Sequence, residues 1–311
     1  MNMEVFVLGT GGMMPLPYRY LTSVLVRREG ELFLFDCGEG TQVSLRSLNL
    51  RWKKISAIFI SHTHADHVTG LPGILMLSSQ VDRSDPLYIY GPPKIREYVE
   101  MSRQVLDMYI NYEIVVEEVP WGESVVCYRG EGFSVRTIPL RHTKPCVGYV
   151  LEEDPRPGVF HPERARELGV PMGPLWSRLQ RGEVVKNVRG EEVRPEMVLG
   201  PPRAGRKVAF VTDTLYLPHI KDYVKGADLF ICEGMFSHEL AETAAEKRHL
   251  TAREAGRIAR EAEGVGKLGL IHYSPRYTNR DLQVLLEEAK EEFPEAFLCR
   301  DRQTIPIPYR D

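Results

Sequence analysis

Three histidines and one aspartate fall within six consecutive positions of this chain, His62-Thr63-His64-Ala65-Asp66-His67, soon after an apolar segment. That segment, residues 55–60, has the composition of a buried strand. Imidazole and carboxylate groups are the ligands that Zn²⁺ and similar divalent cations prefer. Because side chains alternate along an extended chain, His62 and His64 point the same way and can share one cation, while Asp66 and His67 face a second. The cluster therefore predicts a metal centre at the end of a strand.

Three further residues of ligand type, His142, Asp213 and His272, each come one or two positions after another apolar, strand-like segment. A rigid sheet holds residues at its strand ends near a surface cleft, so these three can converge on the histidine cluster. Two dications about 3.5–4 Å apart repel each other and need an anionic ligand between them, a role that suits Asp213. The predicted ligands are His62, His64 and His142 for one ion, Asp66, His67 and His272 for the second ion, and Asp213 for both.

Composition restricts the class of protein. The chain of 311 residues is 43% hydrophobic and 27% charged, which is typical of a globular protein with a sizeable core. Its five cysteines are scattered and form no Cys-x-x-Cys pair, which indicates reduced thiols rather than a zinc knuckle. No apolar run reaches the length of a membrane span, and the first residues are typical of a strand rather than a leader peptide. These features predict a cytoplasmic protein with no membrane partner.

Residues 152–205 differ in composition from the rest of the chain. They are dense in proline, glycine and arginine, and only one helical turn is evident, near residues 163–168. Residues 156–207 hold eleven basic and six acidic side chains, an excess of +5 in a chain whose net charge is −3. We therefore predict one domain over residues 1–311 with an inserted basic arm at 152–205. A decorated surface loop without a function of its own is the alternative.

A histidine and a glycine-rich turn lie where an anionic substrate would be attracted. His249 precedes the capping box Thr251-Ala-Arg-Glu254 that starts a helix, and helix N-termini attract anions. The turn Gly9-Thr10-Gly11-Gly12 can direct backbone N–H groups at a phosphate, with a simple tight turn as the alternative. Both are candidate substrate contacts.

The motif His62-Thr-His-Ala-Asp-His67, combined with His142, Asp213 and His272, resembles that of the metallo-β-lactamase superfamily. Within it, the chain is similar to the ribonuclease Z family of tRNA 3′-end-processing endonucleases. The stretches that carry this narrower resemblance are Leu8-Gly-Thr-Gly-Gly-Met-Met-Pro15, Phe35-Asp-Cys-Gly-Glu-Gly-Thr-Gln42, His67-Val-Thr-Gly-Leu-Pro-Gly73 and Gly169-Val-Pro-Met-Gly-Pro-Leu175. The resemblance implies an αββα sandwich, in which two mixed β-sheets are flanked by helices, with a dinuclear metal site at one edge and an inserted protruding arm.

The resemblance also implies a substrate and a partner. In that family the arm reaches out to hold the elbow of precursor tRNA, and the enzyme is a homodimer in which each arm serves the other subunit's site. Basic side chains fit this role, because Lys and Arg contacts to phosphates give affinity that does not depend on sequence. The candidate substrate-binding residues of the arm are Gly173, Pro174, Arg178 and Arg181.

The implied reaction is hydrolysis of a phosphodiester with two divalent metal ions per subunit, Zn²⁺ foremost, with Mn²⁺ or Fe²⁺ also suited to these ligands. Asp66 is the candidate base that orients the attacking water and takes its proton. His249, held by Glu233, is the candidate acid for the leaving 3′-oxygen. The products are a 3′-hydroxyl on the tRNA and a 5′-phosphate on the trailer. Three family patterns are altered. Cys232-Glu-Gly-Met235 keeps only the glutamate of the usual His-Glu-Ala-Thr, Thr212-Asp-Thr214 stands for Gly-Asp-Thr, and His249-Leu-Thr251 stands for His-Ser/Met-Thr.

Two other functions remain open from the sequence. A hydrolase of the same fold that acts on a small phosphodiester or another ester would use the same metal ligands, but it would leave the basic arm and His249 without a role. A non-catalytic RNA-binding protein of this fold would be expected to lack one or more ligands, and none is missing. The endoribonuclease is the favoured hypothesis.

Overall fold

The structure of the protein is a computed structural model that describes residues 2–81 and 83–310. Within these residues the backbone forms two seven-stranded sheets and one two-stranded ribbon. The two large sheets pack face to face through apolar side chains such as Phe33 and Phe59 of the first sheet and Tyr149 and Phe210 of the second. Helices cover the outer face of each sheet through two further apolar clusters. This layer order confirms the predicted αββα sandwich.

The helices and strands follow one another along the chain as a succession of short elements. The first part contains β1 (Met3–Gly9), β2 (Ser23–Arg28), β3 (Glu31–Phe35), α1 (Thr41–Ser47), β4 (Ile55–Phe59), α2 (Ala65–Val68), α3 (Leu71–Gln80), β5 (Leu87–Gly91), α4 (Ile95–Val105), β6 (Ile114–Glu118), β7 (Val126–Gly130), β8 (Phe133–Pro139) and β9 (Val147–Glu153). The remainder contains α5 (Pro162–Glu167), α6 (Pro174–Gln180), β10 (Val185–Lys186), β11 (Glu192–Val193), β12 (Lys207–Val211), α7 (Ile220–Val224), β13 (Leu229–Glu233), α8 (Ala241–Lys247), α9 (Ala252–Glu261), β14 (Lys267–Ile271), α10 (Leu282–Glu292), β15 (Ala296–Leu298) and β16 (Gln303–Pro306).

Both large sheets are mixed. The first has the strand order β16-β1-β2-β3-β4-β5-β6, antiparallel around β1 and β2 and parallel from β3 to β6. The second has the order β15-β14-β13-β12-β9-β8-β7, with β12 to β15 parallel and β7 and β8 antiparallel. Because parallel strands end at the same edge, residues that directly follow β12, β13 and β14 lie side by side. This edge carries the residues of interest.

The arm predicted at residues 152–205 has more regular structure than its sequence suggested. The expectation of a single helical turn was wrong, because α5, α6 and the ribbon β10–β11 all form there. These short elements enclose their own apolar cluster, which includes Ala165, Leu179 and Val193. Each element is only two to seven residues long, and glycine or proline residues separate one element from the next, so the sequence shows no periodic pattern.

Packing divides the chain into two compact units. One comprises Met1–Leu151 with Lys207–Pro308, and the other comprises Glu152–Arg206 with Tyr309–Asp311. The predicted arm boundaries therefore fall within one residue of the second unit, which also includes residues from the far end of the chain. Among the described residues, no helix combines the length and the apolar character needed to cross a bilayer.

Candidate metal centre

The structure brings all seven predicted ligands together in two adjoining groups at the carboxyl edge of the strands. His62 and His64 follow β4, and His142 follows β8. Asp213 lies two positions after β12, and His272 directly follows β14. The ligand-type atoms of His62, His64, His142 and Asp213 form one group, and those of Asp66, His67 and His272 form a second. Those of Asp213, His249 and His272 also lie close to one another. His62 and His64 belong to the first group, whereas Asp66 and His67, which lie in the short helix α2, belong to the second.

The first group is compact. His64 Nδ1 lies 2.9 Å from His62 Nε2 and 3.2 Å from His142 Nε2. Asp213 Oδ2 lies 3.6 Å from His62 Nε2 and 3.7 Å from His142 Nε2. Ligands placed about 2.0–2.1 Å from a tetrahedral Zn²⁺ are about 3.3 Å from one another. The donor atoms therefore have the mutual spacing of a four-ligand site.

The second group shares Asp213 with the first. His272 Nε2 lies 3.2 Å from His67 Nε2 and 3.3 Å from Asp66 Oδ2. The other oxygen of Asp213, Oδ1, lies 3.4 Å from His67 Nε2 and 3.3 Å from His272 Nε2. One carboxylate thus presents one oxygen to each group, which is the arrangement that two neighbouring cations require.

The low pKa values of the histidines in the first group favour cation binding. Burial, with the nearby His67, lowers the pKa of His62 well below its ordinary value. Burial, with the nearby His142, lowers the pKa of His64 to about 4, and burial also lowers the pKa of His142. All three imidazoles are therefore neutral at pH 7. A neutral imidazole has a free lone pair, which is the form that binds metal.

The second group is dominated by negative charge. Burial lowers the pKa of His67, but the carboxylates of Asp213, Asp66 and Asp36 outweigh burial and raise that pKa well above its ordinary value. Buried carboxylates of this kind need a compensating positive charge, either a proton or a cation. The donor set of both groups therefore fits divalent metal ions.

Asp36 and Ser61, which sequence reasoning missed as site residues, orient the ligands. His67 donates from Nδ1 to Asp36 Oδ2 over 2.7 Å, which leaves Nε2 directed at the second group. Asp36 also accepts hydrogen bonds from the backbone N–H and the hydroxyl of Ser61, each over 2.7 Å. His62 Nδ1 lies 3.0 Å from the Ser61 hydroxyl oxygen, to which it donates. One buried carboxylate therefore sets the orientation of ligands in both groups.

A backbone carbonyl orients the His142 ring. His142 donates from Nδ1 to the carbonyl oxygen of Arg248 over 2.9 Å, and Arg248 Nη1 donates back to the His142 carbonyl over 2.6 Å. His272 differs, because its Nδ1 is buried and has no hydrogen-bond partner within residues 2–81 and 83–310. Its ring instead packs against Gly12, where a Cβ would lie 2.7 Å from the imidazole.

His249 and Glu233 lie beside the two groups and are in contact with each other. His249 Nδ1 donates to Glu233 Oε2 over 2.9 Å, and the other oxygen of Glu233 accepts the backbone N–H of Thr214 over 2.7 Å. The His249 ring centroid is 4.9 Å from that of His142 and 5.5 Å from that of His272. Burial lowers the pKa of His249, but Glu233 and then Asp213 outweigh it and raise the pKa to about 9. His249 therefore has a proton to donate at neutral pH.

The glycine-rich turn after β1 does not direct its amides at a ligand. Gly11 N donates to the Tyr20 carbonyl and Gly12 N to the Tyr273 carbonyl, over 2.8 Å and 3.0 Å. Met13 N donates to Asp66 Oδ2 over 2.7 Å. The suggestion that this turn binds phosphate through these N–H groups was therefore wrong. The turn instead packs against His272 and fixes Asp66.

Comparisons with known proteins identify the family. A relative from Treponema denticola named ribonuclease Z is 64% identical over 311 residues, which covers 100% of both chains. The chain belongs to the ribonuclease Z family. A second relative of that name, from Methanosarcina acetivorans, is 43% identical over 308 residues and 99% of each chain. The resemblance read from the sequence is thus confirmed.

Solved structures agree with the family and the fold. The short form of human tRNase Z aligns over 98% of this chain and 99% of its own, with a TM-score of 0.71 and 26% identity. The metallo-β-lactamase fold protein YhfI from Bacillus subtilis aligns with a TM-score of 0.67 at 19% identity over 98% of this chain and 99% of its own, and it shows the fold alone. A family model described as anti-Pycsar protein Apyc1 matches residues 3–153.

The altered ribonuclease Z pattern Cys232-Glu-Gly-Met235 leaves the glutamate in contact with the site. Glu233 is fully buried and holds both His249 and the backbone of Thr214. The side chains of Cys232 and Met235 are buried in apolar clusters instead. The contact that the resemblance implied for Glu233 is therefore present despite the changed neighbours.

The four candidate substrate-binding residues of the arm lie around the start and end of α6. Gly173 has a φ of 141°, and a Cβ there would meet no atom of the described chain within 4 Å. Pro174 is the first residue of α6. Arg178 and Arg181 both pair with Glu183, over 2.7 Å and 3.2 Å. Exposed ion pairs of this kind contribute little, so the arginines can exchange Glu183 for another anion.

Proposed function

We propose that the chain is a metal-dependent endoribonuclease that removes the 3′ trailer from precursor tRNA and leaves a 3′-hydroxyl on the tRNA. One observation carries the proposal: in a member of the ribonuclease Z family, Asp213 presents one carboxylate oxygen to each of two ligand groups. A paired site suits displacement at a phosphodiester, and membership of the ribonuclease Z family supports a polynucleotide as the substrate.

We infer that two divalent cations occupy these groups. The residues that would hold them are His62, His64 and His142 for one, Asp66, His67 and His272 for the other, and Asp213 for both. Zn²⁺ suits the nitrogen-rich donor set best, and Mn²⁺ and Fe²⁺ are accepted by the same ligand types. When bound, the cations supply Lewis-acid polarisation of the phosphodiester and make water more acidic.

Two side chains, Asp66 and His249, perform the proton transfers in this proposal, and Glu233 positions the second of them. Asp66 orients the attacking water and accepts its proton, while the new bond forms at phosphorus and the bond to the 3′-oxygen breaks. His249 donates its proton to that leaving oxygen, because its raised pKa keeps it protonated. Glu233 holds the His249 ring through Nδ1 and so directs Nε2 outward. The tRNA gains a 3′-hydroxyl and the trailer a 5′-phosphate.

The arm is the proposed binding site for the body of the tRNA. It has its own apolar core, and its residues 156–205 hold nine basic and six acidic side chains. Its two connecting segments pair with each other, since Arg156 and Arg203 exchange backbone hydrogen bonds of 2.7 Å and 2.9 Å. A compact unit that carries exposed arginines suits recognition of RNA by shape and by phosphate contacts.

Family membership supports two further parts of the proposal. We infer that the enzyme acts in the cytoplasm and that it is a homodimer in which each arm serves the partner's site. Sedimentation velocity on the metal-loaded protein at micromolar concentration tests the dimer. A purely monomeric profile that persists in the presence of tRNA would contradict it.

Single-turnover cleavage of a precursor tRNA with a 3′ trailer tests the function. We expect cleavage that stops after addition of a chelator and returns with Zn²⁺ or Mn²⁺, and products that end in a 3′-hydroxyl and a 5′-phosphate. A tRNA that already has its mature 3′ end is the control. Cleavage that survives the chelator, or a 2′,3′-cyclic phosphate on the tRNA, would refute the proposed chemistry.

A further inference from the structure

A cavity of about 270 Å³ opens beside the metal centre but contains none of its seven candidate ligands. Its walls come from the segment after β1, the segment after β14, the start of α10 and the turn between β15 and β16. Thr10 and Tyr273 contribute to the wall, and Tyr273 directly follows His272. The Tyr273 backbone is hydrogen-bonded to Thr10 and Gly12 over 2.9 Å and 3.0 Å. The cavity and the metal centre therefore share one structural wall.

Arg19 lines this cavity, and one of its guanidinium nitrogens has no hydrogen-bond acceptor among the described residues. Its side chain is almost entirely buried, with a relative exposure of 3%. Nη2 donates to the Tyr277 carbonyl and to Asn279 Oδ1, over 3.2 Å and 3.0 Å. Nη1 is also buried, and it has no acceptor among the residues that the structure describes. A buried donor of a charged group without an acceptor is costly, so the site is suited to a ligand that supplies one.

Two more arginines stand at the same cavity. Arg300 and Arg302 line it, their side chains are exposed, and neither forms an ion pair with another described residue. Asp301 between them is held at both oxygens, by the Thr10 hydroxyl over 2.7 Å and by Tyr20 N over 2.6 Å. With three guanidinium groups and one carboxylate, the lining has a net charge of +2. The cavity is therefore electrostatically suited to an anion.

We propose that this cavity is an anion site that binds a phosphate group, with Arg19 as its buried donor and Arg300 and Arg302 at its opening. The guanidinium group matches phosphate oxygens through paired N–H donors, which a single-point cation does not. The volume lies just below the roughly 300–1,000 Å³ of pockets that enclose larger ligands, so a phosphate or one nucleotide is the matching size. The phosphate can belong to RNA or to a free phosphate compound.

Titration of the metal-loaded full chain with inorganic phosphate, followed by calorimetry, tests the site. The variant Arg300→Ala/Arg302→Asn removes two exposed side chains, and asparagine tolerates the φ of 66° at position 302. We expect it to lose one phosphate-binding event of the wild type, or to bind at that event about tenfold or more weakly. Arg19→Lys, which keeps the charge but not the fork of donors, is expected to weaken the same event. Arg129→Ala, an exposed arginine of β7, is the matched control.

Superimposable phosphate isotherms for the wild type and the double variant would overturn the proposal. A second experiment distinguishes an RNA phosphate from a free phosphate compound. It measures the affinity for precursor tRNAs with short and long trailers over a range of salt concentrations. If RNA is the source, the double variant loses the gain from a longer trailer, and its salt slope falls by about 1. An unchanged slope with impaired phosphate binding supports the same site with a free phosphate compound as ligand. Only the RNA source rests on the proposed function, and cleavage by the wild type tests that function separately.

Discussion

Five non-glycine residues around the metal centre have left-handed backbone conformations. Met13, Asp36, Asp213, Arg248 and His272 have φ values of 64°, 55°, 33°, 59° and 61°. Such conformations cost about 1–3 kcal/mol each and persist only where the surrounding structure enforces them. Each of these residues supplies a ligand atom or a hydrogen bond to a ligand, so the strain is concentrated where the orientation of side chains matters most.

Replacement of His249 by alanine is expected to slow single-turnover cleavage of precursor tRNA by roughly 10²–10⁴-fold, because the leaving oxygen would lose its proton donor. Metal content, measured by mass spectrometry, is expected to stay at the wild-type level. His249 is not one of the seven predicted metal ligands, and its Nδ1 donates to Glu233. Glu233→Gln should give a smaller loss, as the amide can still accept from Nδ1. An activity of His249→Ala within a few-fold of the wild type would exclude the residue from the mechanism.

Asp36→Asn is expected to lower metal affinity by roughly 10–100-fold, because Asp36 orients His67 directly and His62 through Ser61. Asparagine is chosen because it tolerates the positive φ at this position, so that the loss of charge is isolated from backbone strain. Competition with a chromogenic chelator measures the affinity. Asp85→Asn, at an exposed position, is the matched control, and equal affinities in both variants would argue against the assigned role.

The strands of the two sheets position the residues of the metal centre, whereas the elements of the arm pack around a separate apolar cluster. Strands β4, β12 and β14 end at the metal centre and hold its residues through a buried sheet. The arm elements α5, α6 and β10–β11 are short and depend on their own small apolar cluster. The proposed roles in metal binding and in RNA binding are therefore separable by mutation.

Removal of the arm is expected to abolish cleavage of precursor tRNA while hydrolysis of bis(p-nitrophenyl) phosphate continues within a few-fold of the wild type. The stem offers a place for the cut, because Gly200 N donates to the Val159 carbonyl over 2.8 Å. Residues 160–199 can be replaced by an Asn-Gly turn that preserves this pairing. Parallel loss of both activities, with metal content unchanged, would contradict a separate binding role for the arm.

A milder test targets the arm's arginines. Arg178→Ala/Arg181→Ala is expected to raise the KM for precursor tRNA several-fold and to reduce the salt dependence of binding, with turnover of the small diester unchanged. Arg189→Ala, which removes an arginine that is likewise paired with a glutamate, is the matched control. Identical salt slopes for the wild type and the double variant would exclude these two arginines as phosphate contacts.

Helix α9 depends on the cap at Thr251. The Thr251 hydroxyl accepts from Glu254 N, and the Glu254 carboxylate accepts from Thr251 N over 2.8 Å. Thr251→Ala is expected to lower the free energy of unfolding by about 0.5–2 kcal/mol, and Thr251→Ser to remain near the wild type because serine keeps the capping oxygen. Urea denaturation measures both. Equal destabilisation by the two substitutions would show that the lost methyl packing matters rather than the cap.

For the molecule as a whole, the metal centre joins the two sheets. Its ligands come from segments that follow strands of both, with His62 after β4 of the first sheet and His272 after β14 of the second. A cation bound at this edge stabilises the folded state by mass action, because the unfolded chain does not hold these residues together.

Metal removal is therefore expected to lower the melting temperature as well as to stop catalysis. Differential scanning calorimetry of the metal-loaded and the chelated protein measures the difference, and re-addition of Zn²⁺ should restore it. Asp213→Asn should show a smaller shift on chelation, since one carboxylate contacts both groups. If chelation stops cleavage without any change in melting temperature, the cations contribute to chemistry but not to the cohesion of the sheets.

Much of the candidate site is predictable from the amino-acid sequence. Ligand-type residues placed directly after apolar strands reveal themselves by residue type and position, because strand ends converge at a sheet edge. The family resemblance followed from the same residues and from glycine-rich motifs that leave little choice of backbone. The αββα layers, the two groups of ligands and the contact between His249 and Glu233 all accord with that reading.

Other features depended on contacts between residues far apart in the chain. Asp36 and Ser61 carry no local pattern that distinguishes an orienting role from ordinary polar residues, and the role arises only when β3 and β4 pair. The sequence alone does not show that the N–H groups of Gly11 and Gly12 donate to the carbonyl oxygens of Tyr20 and Tyr273. Likewise, the cavity around Arg19 exists only because segments from both ends of the chain meet there. Local chemistry marks which residues can act, and long-range packing decides which of their atoms remain available.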